Sequence, residues 1–402
     1  MPMLAIVNGT LITVSGPVIP NGTLLLDQGK IVALGKNLPI PEKAEVVDAA
    51  GKFVMPGIVE AHCHLGVMDF GVGEEENHID ADGAPAGGGG FGPAVTPELM
   101  SYYAFNPRHV QLKQALEAGV TTILTRPGSG KIISGMGIIA KTFGKSRKDM
   151  VLMNPAEVKM ALGENPKRNF GSRNQSPSTR MGSGALLRDA FLKAKSYMAK
   201  REKDPETPVN YQLEPLVKVL KGELKARIHA HRADDIMMAL RAADEFGFQC
   251  SIEHASEAHI IVDEIKKRNV PCVLGPTMAR TKVETARKDF VAAGILEKVG
   301  VKVCITTDAG VVPQEYLRTC VALSHRAGMS EAGAIRSMTL TSAEIIGVEN
   351  RVGSLDVGKD ADVLILDGHP LELLTRVEKV FVNGVLAFDI DRDKEDWEKE
   401  GV

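Results

Sequence analysis

The chain has 402 residues, enough for one large domain with a smaller companion, and its 44% hydrophobic and 25% charged content is that of a soluble globular protein. A net charge of -3 gives no basic footprint, so no nucleic-acid partner is expected. No apolar run is long enough for a bilayer, Asn8 and Thr10 interrupt any signal-peptide core, and five cysteines without a disulfide framework point to a cytoplasmic, reducing setting.

The first ~50 residues read as short strands, 4–7, 11–14, 23–26 and 30–34, punctuated by Asn8-Gly9, Asn21-Gly22 and Gln28-Gly29 in the manner of hairpins. From Val54 to Ala61 the chain is apolar enough for a buried strand. Gly66 to Pro97 follows without periodicity, and a loop of this length directly after a strand is expected to lie over a site as a lid. Arg108 to Ala118 is helical and Gly119 to Thr125 a buried strand, whereas Gly130 to Met160 has no single period. Asn165 to Gly184 is a polar loop. Helical patterns over 185–199, 233–246, 258–267 and 283–298 then alternate with apolar runs at 225–228, 249–252 and 301–305. The tail returns to strands at 361–366 and 377–382, with Asn383-Gly384 as a turn. Neither end makes a stable sheet alone, so the two are expected to pair. The fold class is therefore α/β: an eight-stranded (β/α)8 barrel over residues 56–349, with a small β-sandwich from residues 1–55 and 350–402.

Five polar islands close the apolar runs: His62-Cys63-His64, Lys159, His229-Ala230-His231, His254 and Asp308. They hold five of the 10 histidines, and a barrel collects strand ends at one rim. Residues two apart on a strand share a face, so His62 and His64 can chelate one ion. Imidazoles and a carboxylate suit zinc with a water in the open position. A single buried histidine is more often a core residue; the case rests on five groups recurring at strand ends. Arg126 to Lys131 has the look of a phosphate loop without its glycine spacing, and is read instead as a rim loop.

The segment Val54-Met55-Pro56-Gly57-Ile58-Val59-Glu60-Ala61-His62-Cys63-His64 resembles the first-strand signature of the amidohydrolase superfamily. Ala118-Gly119-Val120-Thr121-Thr122, Gly163-Glu164-Asn165-Pro166-Lys167-Arg168, Ser178-Thr179-Arg180-Met181-Gly182 and the tail Gly353 to Asp362 resemble its imidazolonepropionase- and prolidase-like subgroup. The resemblance implies one or two zinc or other divalent ions held by His62, His64, His229, His254 and Asp308, with Asp308, beside His254, carrying the catalytic proton. It implies a metal-dependent hydrolase that attacks a C–N bond of a small amide, peptide-like or cyclic amide by metal-activated hydroxide, and a homo-oligomer. In related enzymes a fourth-strand lysine becomes a carbamate bridging two metals; Lys159 matches it, Glu164 is the rival bridge, and a single-metal site without a bridge is the third option. His231 is expected to contact substrate or support a ligand, and Arg173 and Arg180 are candidates for a substrate carboxylate. A deaminase on the same scaffold would place a glutamate shortly after His229, and none stands there. A scaffold that has lost its chemistry is opposed by the complete ligand set.

Overall fold

The computed structural model describes residues 3–68 and 93–393. The lid expected over Gly66 to Pro97 therefore falls largely outside the described residues. Among these, no helix is long and apolar enough to cross a membrane.

The N-terminal strands are β1 (Leu4–Leu11), β2 (Ile19–Asp27), β3 (Lys30–Gly35), β4 (Glu45–Asp48) and β5 (Phe53–Pro56). The barrel strands follow: β6 (Ile58–Cys63), β7 (Val120–Thr125), β8 (Ile133–Lys141), β9 (Val151–Ala161), β10 (Lys225–Ala230), β11 (Cys250–His254), β12 (Cys272–Leu274) and β13 (Val303–Ile305). The tail adds β14 (Val363–Leu366), β15 (Val377–Val382) and β16 (Val385–Asp389).

Both ends of the chain meet in one sheet of order β16-β15-β14-β5-β1-β2-β3, with β4 on β1. The join is antiparallel, with Val54 opposite Ile365. Strand β1 carries two parallel neighbours in succession, β4 along Leu4–Val7 and β5 at Thr10 and Leu11. The change of partner falls at Asn8-Gly9, where Asn8 has φ of 63°. This corrects the hairpin reading: Asn8-Gly9 and Asn21-Gly22 lie within β1 and β2, with Gly9 opposite Gly22. The glycines serve close approach, since a Cβ on Gly22 would meet Leu11 at 2.6 Å and one on Gly9 would meet Val54 at 2.7 Å. Gln28-Gly29 and Asn383-Gly384 do turn hairpins. Leu4, Ile6, Leu24, Val54, Val363 and Phe381 form the buried centre of this sheet.

The second sheet runs β6 to β13 in chain order and is nearly closed. Thr306 Oγ1 donates to the His62 carbonyl at 2.7 Å, and the His64 amide donates to the Ala309 carbonyl at 2.9 Å, drawing the last strand onto the first. One strand departs from the expected all-parallel barrel: β8 runs antiparallel to both β7 and β9. A parallel neighbour needs a crossover of a dozen or more residues, and the connections 126–132 and 142–150 are too short for one. This hairpin is the stretch that had no single period. The helix expected from residue 283 is confined to Val291–Lys298, after a single turn at Val283–Thr285. The helical stretches 108–118, 185–199 and 233–246 agree with the structure, but the polar loop expected over Asn165 to Gly184 holds the helix Glu164–Gly171 and the first turn of the next helix. Arg180–Lys203 starts at Thr179, whose hydroxyl accepts the Gly182 amide at 3.1 Å. Ala233–Phe246 ends at Gly247 with φ of 75°.

Lys141, at the lower end of β8, fastens barrel to tail. Its ammonium is fully buried, 3.1 Å from Asp360 and in contact with Asp362, just before β14. Asp360 also takes Lys30 and Arg351, each at 2.8 Å. Lys141→Met leaves these carboxylates short of a buried partner and is expected to cost about 3–5 kcal/mol. Equilibrium urea unfolding of the variant against the wild type measures this, and an unchanged midpoint refutes the role given to Lys141.

Candidate metal centre

His62 lies near the upper end of β6 and is fully buried. Its Nδ1 lies 2.6 Å from Glu253 Oε2 and 3.1 Å from an Arg126 nitrogen. The short contact with an anionic acceptor assigns the proton to Nδ1, so the Nε2 lone pair is the one that can accept or bind. His64 Nδ1 faces the Arg126 carbonyl and His254 Nδ1 the Gly275 carbonyl, both at 2.8 Å. A carbonyl only accepts, so these Nδ1 atoms also carry protons. Burial, reinforced by Lys159 and Arg126, holds His62 well below the usual histidine range and so neutral. Burial likewise lowers His229 and His231 well below that range, and His254 to about 4 despite the opposing pull of Asp308.

The Nε2 atoms of His62 and His64 converge on Asp308, just beyond β13. Asp308 Oδ1 lies 3.3 Å from His64 Nε2 and 3.5 Å from His62 Nε2. That oxygen is buried without a well-formed hydrogen bond among the described residues. Burial alone would raise the Asp308 carboxyl, but His254, His64 and Lys159 hold it below the usual carboxylate range. The His62 Nε2 lone pair and a carboxylate oxygen repel one another unless a cation lies between them. The donor set therefore fits a bound metal ion. Among the described residues, two groups have ligand atoms within 4.8 Å of one another: His62, His254 and Asp308, and His229, His231 and His254. His231 thus lies closer to a candidate ion than the sequence suggested, its Nδ1 held by Ser256 Oγ at 2.8 Å.

Lys159 is fully buried near the upper end of β9, its Nζ 3.2 Å from His62 Nε2. Burial, with repulsion from Arg126, lowers its pKa to about 8. Glu164 lies farther out, at the start of the helix Glu164–Gly171, with Arg168 3.6 Å away. Lys159 is the one of the two that meets His62. Arg180 places its planar fork on Asp235 at 2.8 and 2.9 Å. Arg173 follows the helix Glu164–Gly171, its amide on the Phe170 carbonyl at 3.0 Å. The rim-loop reading of 126–131 agrees with the structure, where Ser129 Oγ accepts from Asn165 at 2.8 Å.

Sequence reasoning missed the residues beneath the histidines. Arg126, taken as part of the rim loop, points down into the barrel and reaches Glu157 at 2.9 Å and Glu253 at 2.7 Å. Arg227 meets Glu157 at 3.2 Å from the other side. Glu60 accepts the His62 amide at 3.0 Å and Gln314 at 3.0 Å, and burial pushes its carboxyl up. The available signal was a charge inside an otherwise apolar strand run, as at Arg227 and Glu253.

The amidohydrolase family pattern matches residues 53–387. The chain belongs to the amidohydrolase family. As a member it is a metal-dependent hydrolase of carbon–nitrogen bonds. It is 24% identical to an imidazolonepropionase from Alkaliphilus metalliredigens over 93% of this chain and 92% of that one. It is 26% identical to amidohydrolase tasK from Hapsidospora irregularis across 92% of its own length but spans only 40% of that longer protein. A crystal structure of an amidohydrolase from Thermotoga maritima MSB8 superposes with a TM-score of 0.90 at 37% identity, covering 96% of this chain and 100% of that one. A Xaa-Pro dipeptidase with bound methionine, at a TM-score of 0.60 and 18% identity over 96% of this chain and 100% of that one, shares the fold.

Gly275 shows how tightly this amidohydrolase rim is built. Its φ is 133°, and a Cβ would meet the Thr306 carbonyl oxygen at 2.1 Å. The Gly275 carbonyl that orients His254 cannot hold its place against that contact. Gly275→Ala is expected to lose about 1–3 kcal/mol through overpacking, read as a lower midpoint in guanidinium unfolding; a wild-type midpoint would contradict the close approach.

Proposed function

We propose that this amidohydrolase cleaves the amide bond of a small peptide-like or cyclic amide substrate at a zinc centre held by His62, His64, His229, His254 and Asp308. The observation that carries the reading is the convergence of the buried imidazoles of His62 and His64 on the Asp308 oxygen, which has no well-formed hydrogen bond among the described residues. A divalent ion there would polarise the amide carbonyl and lower the pKa of water. Asp308 is the proton carrier: a carboxylate held anionic beside the reacting atoms accepts a proton and returns it to the leaving nitrogen. Glu253 and the Arg126 and Gly275 carbonyls fix the imidazoles that face the substrate. His231, stacked on His254 with ring centres 4.8 Å apart, is assigned to the same rim as a ligand or a substrate contact.

Lys159 is assigned as the bridge, in carbamate form. Only a neutral amine adds to carbon dioxide, forming an N–C bond and releasing one proton. A pKa of about 8 leaves an appreciable neutral fraction near neutrality. The product converts a buried cation beside His62 into an anionic oxygen ligand. The same reading places the enzyme in the cytoplasm as a homo-oligomer, and its five free, buried cysteines suit a reducing compartment.

Elemental analysis of protein purified without added metal or chelator is expected to give two ions per chain. Lys159→Ala is expected to lower that to one or fewer, and an unchanged count removes Lys159 from the site. Glu253→Gln keeps the shape but weakens the hold on the His62 tautomer. Competition with a chromophoric chelator is expected to show metal affinity lower by about 10–100-fold. Wild-type affinity would leave Glu253 with a purely structural part.

A further inference from the structure

The end of the barrel opposite the metal centre holds a cavity that the chemistry above does not use. Its volume is about 570 Å³, the size of a small-molecule site. Four strands enter the barrel beside it. Lys225 opens β10, while Gln249, Pro271 and Lys302 stand just before β11, β12 and β13. The candidate metal ligands lie at the other ends of these strands. From Lys225 to His229 the chain rises about 13 Å, so the cavity is separate from the metal centre.

The lining carries four cations, Lys225, Arg227, Arg268 and Lys302, against two anions, Asp244 and Glu344. Most of these charges are answered. Arg268 meets Asp244 at 2.8 Å and, in the last turn of its own helix, offsets the negative helix end. Lys302 meets Glu344 at 2.8 Å, and Arg227 meets Glu157 at 3.2 Å. Lys225 is the exception. Half-buried on a strand, it has no hydrogen bond or ion pair among the described residues. Burial and repulsion from Arg227 lower its pKa against the pull of Glu349, so a further anion beside it would be welcome. Arg227 adds donors. A guanidinium has five N–H groups. Among the described residues Glu157, Ser251 Oγ at 3.1 Å and the Ile345 carbonyl at 2.6 Å engage three of them, and the side chain is 2% exposed. Two N–H groups of a buried cation on the cavity wall are left for a ligand.

Arg227 also ties the cavity to the metal centre. Ser251, which accepts from it, donates to Glu253, and Glu253 holds His62 Nδ1 at 2.6 Å. An anion beside Arg227 offsets part of the positive charge that neutralises Glu253. Glu253 then holds the His62 proton more strongly, and the His62 Nε2 becomes a better donor to a metal ion. The anion's own field favours a cation at the centre as well.

We propose that this cavity is an effector site for a small organic phosphate monoester, held by Lys225 and the remaining N–H groups of Arg227, and that its occupation tightens metal binding at the opposite end of the barrel. A phosphate dianion matches a lining with four cations and two anions. The coupling is electrostatic and reciprocal, and it needs no change of fold. It holds whatever bond the metal centre cleaves.

The test is calorimetric titration of zinc-loaded protein with glycerol 3-phosphate, glycerate and glycerol. Glycerol 3-phosphate is expected to bind about tenfold or more tighter than either of the others, the scale of charge-assisted contacts. Lys225→Met is expected to remove that preference and Lys225→Arg to keep it. Gln249→Glu places a like charge at an exposed position on the cavity wall. It is expected to weaken the phosphate too, and guards against a misfolded Lys225→Met. Phosphate held by the metal ions instead would be indifferent to both substitutions, and that result overturns the proposal. Equal binding of the three probes, or tighter binding of glycerate, also overturns it. Competition with a chromophoric chelator then reads metal affinity with and without saturating glycerol 3-phosphate. A rise of about fivefold is expected in the wild type and none in Lys225→Met. Unchanged or weaker metal binding in the saturated wild type sinks the effector role.

Discussion

The guanidinium of Arg126 is the contact on which the centre of this protein depends. It leaves the end of β7 and turns down into the barrel, donating to the Ala61 carbonyl of β6 at 2.8 Å. It reaches Glu157 on β9 and Glu253 on β11, at 2.9 and 2.7 Å. Four strands are thus referenced to one planar group. The backbone carbonyl of the same residue holds His64, and Glu253 holds His62. Burying such a network is costly, and an apolar core of equal volume could be as stable. Its return is geometric: a planar fork with fixed donors sets the distances among strands that must present histidines to one point.

Charge balance in this layer explains the protonation states above it. Arg126 and Arg227 face Glu157 and Glu253, two cations against two anions. In the histidines above, burial and the neighbouring cations outweigh the pull of Asp308, and their pKa values fall. Lys159 faces the same burial with Arg126 close by, so its ammonium is disfavoured as well. A buried lysine that is poorly held as a cation is a poor structural choice. On the proposed reading it would instead be the precursor of a ligand that becomes anionic only after reaction.

Much of this was legible in the sequence, because apolar runs ending in histidine or aspartate report strand ends directly. The residues of the centre, His62, His64, Lys159, His229, His254 and Asp308, meet because a barrel sends strand ends to one rim. What stayed hidden had a different cause in each case. The reversal of β8 depends on the lengths of its connections, which cannot be measured until the strand is recognised. Asn8-Gly9 and Asn21-Gly22 carry the letters of a hairpin, yet the glycines are required by Leu11 and Val54 passing close by. Glu253 and Arg126 were hidden because a charge next to a histidine reads as another site residue, while their partners lie on other strands. Glu164 and Arg180 had the right chemistry, but the structure sets them beside Arg168 and Asp235.

The two ligand groups share His254, and this bears on how many ions the centre can take. His254 belongs both to the set with His62 and Asp308 and to the set with His229 and His231. Its Nδ1 is committed to Gly275, so only Nε2 is left to bind, and one nitrogen serves one ion. Two ions side by side would therefore leave one of them short of a ligand unless another group came between them. Lys159, whose Nζ touches His62 Nε2, stands beside the first set, and a carbamate there adds two oxygens to the donor list. On the proposed reading, a carbamate at Lys159 would supply the ligand a second ion needs, and without it the single available nitrogen of His254 would serve one ion alone.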